Sequence, residues 1–253
     1  MTPERLARAE RMRGYFALQL ALARRMSELT GAPLGAAAAR YTNFHRRFGL
    51  GRLAAAPAPA WAAYAEALEA APDPDAQVEV TYRAFLGMPE EGGHETGRRA
   101  FGCFACEPPT ADGSVSIHFL NLDTDEAGGP LTGGKLAQRR AEIAAMVRSL
   151  RDEHPVARHI RGKSWLYNLE AYRRVFPPDY AASARPTDGP VHLHGNSLWG
   201  QTIDSWERPK PQIAEAVLAA LPGLDPAAPW RAFPLPVMTT VAPIESFKAF
   251  YGL

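Results

Sequence analysis

The stretch Arg99–Leu122, RAFGCFACEPPTADGSVSIHFLNL, decides the fold. RAFGCFACE (99–107) and VSIHFLNL (115–122) are dense in apolar and β-forming residues. PPTADGS between them carries Asp112-Gly113, a pair suited to a tight hairpin turn. Two antiparallel strands are expected, with Gly102 weakening the first. Upstream, QVEVTYRAFLG (77–87) sets Val78, Val80 and Tyr82 on one side at period two and predicts another strand, followed by a loop over 88–97. Downstream, DTDEAGGPLTGGK (123–135) is a glycine-rich connection into a helix over 136–153, where Leu136, Ile143, Val147 and Leu150 keep helical spacing. Residues 156–167 read as a strand, 168–176 as a short helix and 191–204 as strand-like. A helix over 210–221, a strand over 236–242 and a closing helix over 243–251 complete the chain.

The N-terminal third reads differently. Tyr15, Leu18, Leu22, Met26 and Leu29 recur at steps of three and four, so 4–29 is an amphipathic helix ended by Gly31 and Pro33. Further helices are expected over 34–48 and 59–71, separated by a Pro/Ala spacer at 54–60. The expected class is α+β: a central, mainly antiparallel sheet flanked by helices. A helical region 1–71 and an α+β core 77–253 are expected to pack as one domain.

Composition excludes several functions. A 46% apolar and 22% charged chain of 253 residues builds an ordinary core. No stretch approaches the roughly 18 uncharged apolar residues of a membrane helix, and MTPERLARAERMR has no apolar signal core. Two cysteines make no disulfide framework, so a cytoplasmic location is expected. A net charge of +1 gives no general pull toward nucleic acid or membrane. The charge is uneven: residues 1–52 carry ten arginines, and 53–95 carry eight acidic residues against Arg83. Two solvated, mutually attracting faces explain this, as does a basic surface for an anionic ligand.

Four patterns carry possible chemistry. Gly129-Pro-Leu-Thr-Gly-Gly134-Lys135 fits the GxxxxGK skeleton of a phosphate loop. Leu136 stands where a magnesium-binding hydroxyl belongs, so phosphate binding without hydrolysis, or a plain glycine connection, is expected. Cys103-Phe-Ala-Cys106 lies in a strand reading, where residues three apart face opposite ways, so two small buried residues are expected rather than a redox or zinc pair. His192 and His194 form an HxH that places both rings on one strand face, but no third metal ligand follows at close spacing. In Ser164–Pro177, Asn168 stands where an N-cap belongs, and Tyr172 and Phe176 share a helical face.

The order strand, strand, strand, glycine-rich loop, helix 136–153, strand, short helix over residues 77–204 resembles the GNAT acyltransferase superfamily. Asn168-Leu-Glu-Ala171-Tyr172 is similar to that family's cofactor-touching Asn-x-x-Ala-x-x-x-Tyr segment. The resemblance implies an acyl-CoA cofactor, with no metal, and a small amine or similar nucleophile as acceptor. It implies that Gly133, Gly134, Lys135 and Asn168 hold the cofactor, that a backbone N–H on 115–122 polarises the thioester, and that Tyr172 protonates the leaving thiolate. His118, on the central hairpin, is the candidate base. The alternatives are a non-catalytic ligand- or protein-binding module and a metal enzyme built on the HxH pair.

Overall fold

The computed structural model describes residues 2–51, 58–87 and 97–253. Of the expected spacer 54–60 and loop 88–97, residues 54–57 and 88–96 lie outside them. The elements in chain order are α1 (Pro3–Arg11), α2 (Arg13–Thr30), α3 (Leu34–Tyr41), α4 (Phe44–Arg47), α5 (Pro59–Ala70), α6 (Pro74–Gly87), β1 (Arg99–Phe101), β2 (Phe104–Cys106), β3 (Ser114–Phe119), α7 (Leu136–Glu153), β4 (His159–Ser164), α8 (Glu170–Arg173), α9 (Pro178–Ala182), β5 (Arg185–Pro186), α10 (Asn196–Trp199), α11 (Pro211–Ala220), β6 (Met238–Pro243) and α12 (Ile244–Tyr251). They form two compact units, Met1–Gly93 with Pro190–Pro234, and His94–Gly189 with Leu235–Leu253.

The helical unit gathers more chain than the sequence suggests. Residues 77–87, expected as a strand, are the helix α6. Its start is set by Asp73, whose carboxylate accepts from the Ala76 N–H at 2.8 Å, followed by Pro74 at the first helical position. Thr81 and Phe85, four apart, then face inward, and Thr81 meets the Tyr64 hydroxyl at 3.0 Å. The period-two run of Val78, Val80 and Tyr82 is incidental to that helix. Residues 191–204, expected as strand-like, form no strand; Val191 and Leu193 are buried, and α10 follows. Trp199 explains why this segment belongs to the helical unit: its ring meets Tyr15 edge-on at 6.4 Å, and its N–H donates to the Tyr41 carbonyl at 3.2 Å. The expected helix 34–48 breaks at Thr42, which is extended and returns its hydroxyl to the Ala38 carbonyl.

A half-buried ion cluster pins this unit. Glu207, in the left-handed region at φ 63°, accepts from Arg8 on α1 at 2.5 and 2.9 Å and from Arg47 on α4 at 2.6 Å. Burial would raise its pKa, yet the two guanidinium groups hold the carboxyl down at about 2. Charge attraction between the N-terminal arginines and the following acidic region is seen at Arg13–Glu79, 3.0 Å.

The second unit is a six-stranded sheet in the order β1-β2-β3-β4-β6-β5. All its pairings are antiparallel except β3–β4. The hairpin over Asp112-Gly113 forms as expected, between β2 and β3. The single strand expected over 99–107 is instead a second, tighter hairpin. It turns at Gly102 (φ 61°), where a Cβ would stand 2.2 Å from the Glu142 carboxylate. One sheet face is apolar: Val115 and Ile117 (β3), Ile160 (β4) and Ala242 (β6) meet Ile143, Met146, Val147 and Leu150 of α7 and Phe247 of α12. Tyr167, Tyr172, Phe176 and Tyr180 fill the remainder.

Candidate functional site

β3 and β4 are paired from Ser114↔His159 to Ile117↔Gly162 and no further. Beyond that point His118 and Phe119 stay with β2, while Lys163 and Ser164 stay with β6. The two parallel strands therefore part at their carboxyl ends, the end at which open α/β sheets take ligands. Gly162 sits at the fork, where a Cβ would be 1.8 Å from the Tyr167 hydroxyl and 2.5 Å from that of Tyr180. The Leu120 N–H donates back to Cys103 on the β2 side, so by alternation the Phe119 N–H points toward β4, past the last pair.

The connection from β3 to α7 ends in a 3-10 turn, Gly133–Lys135, that runs directly into the 18-residue α7. Its charges point inward. The Lys135 ammonium, 11% exposed, binds the Asp123 carbonyl at 2.9 Å, the Asp123 carboxylate at 3.1 Å, Asp125 at 3.0 Å and the Gly128 carbonyl at 3.2 Å. Desolvation works against the ammonium's charge, but its bonds to Asp125 and Asp123 outweigh that and raise its pKa. Arg139, 1% exposed, bridges Asp123 at 2.7 Å and Glu142 at 2.8 Å and touches the Cys103 sulfur. Burial pushes the Glu142 carboxyl and the Cys103 thiol up.

The loop's glycines are open to solvent. Gly133 and Gly134 are exposed, and among the described residues their N–H groups donate to no acceptor. A Cβ on Gly134 would meet nothing within 4 Å. Beside them lies an open groove of about 350 Å³ containing Arg140, Glu170, Arg173, Arg174, Phe176 and Phe250. Arg174 reaches the loop, donating to the Leu131 carbonyl at 3.4 Å, and Arg140 donates to the Arg174 carbonyl at 2.8 Å while lying over the Phe250 ring at 5.2 Å. Among the described residues none of these three arginines is ion-paired. Free amides at the positive end of a long helix, with guanidinium groups alongside, suit a phosphate or diphosphate.

The residues singled out from the sequence fare unequally. Gly133 and Gly134 stand open to a ligand. Lys135 does not: it is the clasp that shapes the loop. Asn168 is not an N-cap and has no amide donor to spare, because it donates to the Trp165 carbonyl at 2.6 Å and the Pro236 carbonyl at 2.8 Å. The cap there is Ser164, accepting from the Leu166 N–H at 3.1 Å. Tyr172 is 2% exposed among Phe104, Phe119, Tyr167 and Phe176, and burial drives its pKa far upward, which makes it a core aromatic rather than an acid within reach of substrate. His118 faces away from that core, its Nε2 on Glu107 at 2.9 Å, so the fold does not bring His118 and Tyr172 to one side of the sheet. Cys103 and Cys106 are both buried and free. His192 and His194 do lie together, 5.3 Å between ring centroids, but in a turn. Among the described residues no three His, Cys, Asp or Glu side chains converge as a metal site, and no helix is long and apolar enough to cross a membrane.

Arg140 and Arg174 escaped the sequence reading. The signal was available for one pair: Arg139 lies four residues before Ile143 and so on the buried face of α7, which leaves Arg140 turned to solvent. Compared with known protein families, with curated proteins and with solved structures, the chain matches none.

Proposed function

We propose that the sheet unit binds an acyl coenzyme A through its diphosphate and transfers the acyl group to a small amine or similar nucleophile. The observation that carries this reading is the juxtaposition of open Gly133 and Gly134 amides with Arg174, at the mouth of a loop that leaves β3 where β3 and β4 part. In this reading the two amides and Arg174 take the diphosphate, and Arg140 and Phe250 flank the nucleotide end. The pantetheine arm follows the gap between the strands. The Phe119 N–H polarises the thioester carbonyl. The nucleophile attacks that carbon, the C–S bond breaks, and the proton lost by the amine balances the one gained by the thiolate. Tyr172 and Lys135 have no part in it.

The burial of Tyr172 favours a second reading, in which the same groove holds a phosphorylated ligand without chemistry. Two measurements separate these. Coenzyme A at a hundred times its dissociation constant is expected to stabilise the protein by about 2.7 kcal/mol, and pantetheine, which lacks the diphosphate, to give no comparable effect. Acetyl-CoA with a panel of small amines is expected to release free thiol. Binding without thiol release supports the second reading; no stabilisation by coenzyme A overturns the first.

A further inference from the structure

Helices α7 and α12 cover one face of the sheet. The opposite face is open: Val241 on β6 is 39% exposed, and the Arg161 side chain on β4 is 43% exposed. Gly162, at the fork, faces the covered side, against Tyr167 and Tyr180. By alternation Lys163, the first residue past the fork, stands on the open face. Thr239 lies directly opposite Lys163, and Arg185 lies directly opposite Thr239 on its other flank. The three therefore share one face, in one row across β4, β6 and β5, with neighbouring Cβ atoms about 5 Å apart.

Each side chain in this row offers hydrogen-bond donors. Lys163 and Arg185 are exposed, and among the described residues neither is ion-paired. The Thr239 and Thr187 hydroxyls meet at 2.8 Å. That bond uses one of their two hydrogens and leaves one O–H to donate elsewhere. Arg161, two residues before Lys163 on the same face, is answered by Asp112 at 3.2 Å. Among the described residues no carboxylate answers Lys163 or Arg185 in the same way.

This inference rests on the acyl-transfer reading. With α7 and α12 on one face, a thioester in the gap between β3 and β4 is open to an acceptor from the other face, beside Lys163. We infer that the acceptor is a small amine that also carries a carboxylate, and that Lys163, Arg185 and the Thr187–Thr239 hydroxyl pair bind that carboxylate. Arg185 meets it as a planar fork and Lys163 as a point charge. A carboxylate above Thr239 lies about one and a half strand spacings, roughly 7 Å, from the middle of the gap. Amine and carboxylate are therefore several bonds apart, as in an ω-amino acid.

Thiol release from acetyl-CoA tests this, with 4-aminobutyrate and butylamine, the same chain without the carboxylate, as acceptors. In the parent chain kcat/KM is expected to be about tenfold or more higher for 4-aminobutyrate, and in both Lys163→Gln and Arg185→Gln that ratio is expected to fall toward one. Butylamine used as well as 4-aminobutyrate overturns the inference and leaves the transfer reading standing. Release with neither acceptor overturns the transfer reading and the inference with it. A preference that survives both substitutions overturns the site. Phosphoethanolamine used faster than 4-aminobutyrate overturns the choice of a carboxylate. Both positions are exposed and outside the coenzyme groove, so calorimetric titration with coenzyme A reports whether the variants are folded.

Discussion

Two sets of cations gather around the start of α7, Arg173 and Arg174 brought there from α8 and the residue after it, and are used in opposite ways. Lys135 and Arg139 are buried and saturated by Asp123, Asp125, Glu142 and backbone carbonyls. Arg140, Arg173 and Arg174 are exposed and, among the described residues, unpaired. The first set fixes a loop whose glycines stand exposed; of the second, Arg174 reaches that loop and Arg140 reaches Arg174. Helix phase makes the division: one residue along α7 is a turn of about 100°, enough to take Arg139 into the core and Arg140 into solvent.

The sharpest way to break this contrast is to truncate Arg139. Arg139→Ala leaves Glu142 without its cation and Asp123 with Lys135 alone, and a loss of about 3–5 kcal/mol in urea unfolding is expected. A loss below about 1 kcal/mol makes the clasp ornamental. The arginine–carboxylate cluster of the helical unit gives a second, pH-dependent case. The Glu207 pKa of about 2 in the folded chain lies below the roughly 4.3 of an unfolded glutamate. Its contribution is therefore complete above pH about 4.3 and is lost as pH falls toward about 2, a change on the order of 3 kcal/mol. Acid unfolding of the Glu207→Gln variant is expected to lack that component. The exposed set is expected to behave in the opposite manner. Arg174→Gln should leave stability within about 0.5 kcal/mol and weaken coenzyme A binding by about 1 kcal/mol, roughly fivefold, with the difference shrinking in high salt.

The hairpin, the helix after the glycine loop, and the closing strand and helix were legible because apolar spacing and turn residues agree there. Residues 77–87 were misread because Val78, Val80 and Tyr82 mimic a strand, while the start signal Asp73-Pro74 lies just upstream and outweighs it. Residues 191–204 were misread because Val191 and Leu193 alternate without any partner strand. Within the site, Gly133 and Gly134 were recognisable from composition. Lys135 was misassigned because the sequence cannot tell whether a lysine turns to a ligand or to Asp123 and Asp125 on its own loop. Tyr172 was misassigned for a similar reason: helical spacing places it on a face with Phe176, and that face is the core.

The most direct test compares two substitutions at Gly133 by calorimetric titration with coenzyme A. Gly133 opens the 3-10 turn after Thr132, which is extended (φ −63°, ψ 153°), so proline fits there and removes only the N–H; alanine keeps it. Gly133→Ala is expected to bind like the parent chain, and Gly133→Pro about tenfold or more weaker, the loss of one hydrogen bond to a charged group of about 1.5–3 kcal/mol. Equal affinity in all three chains would contradict a diphosphate held by the loop amides.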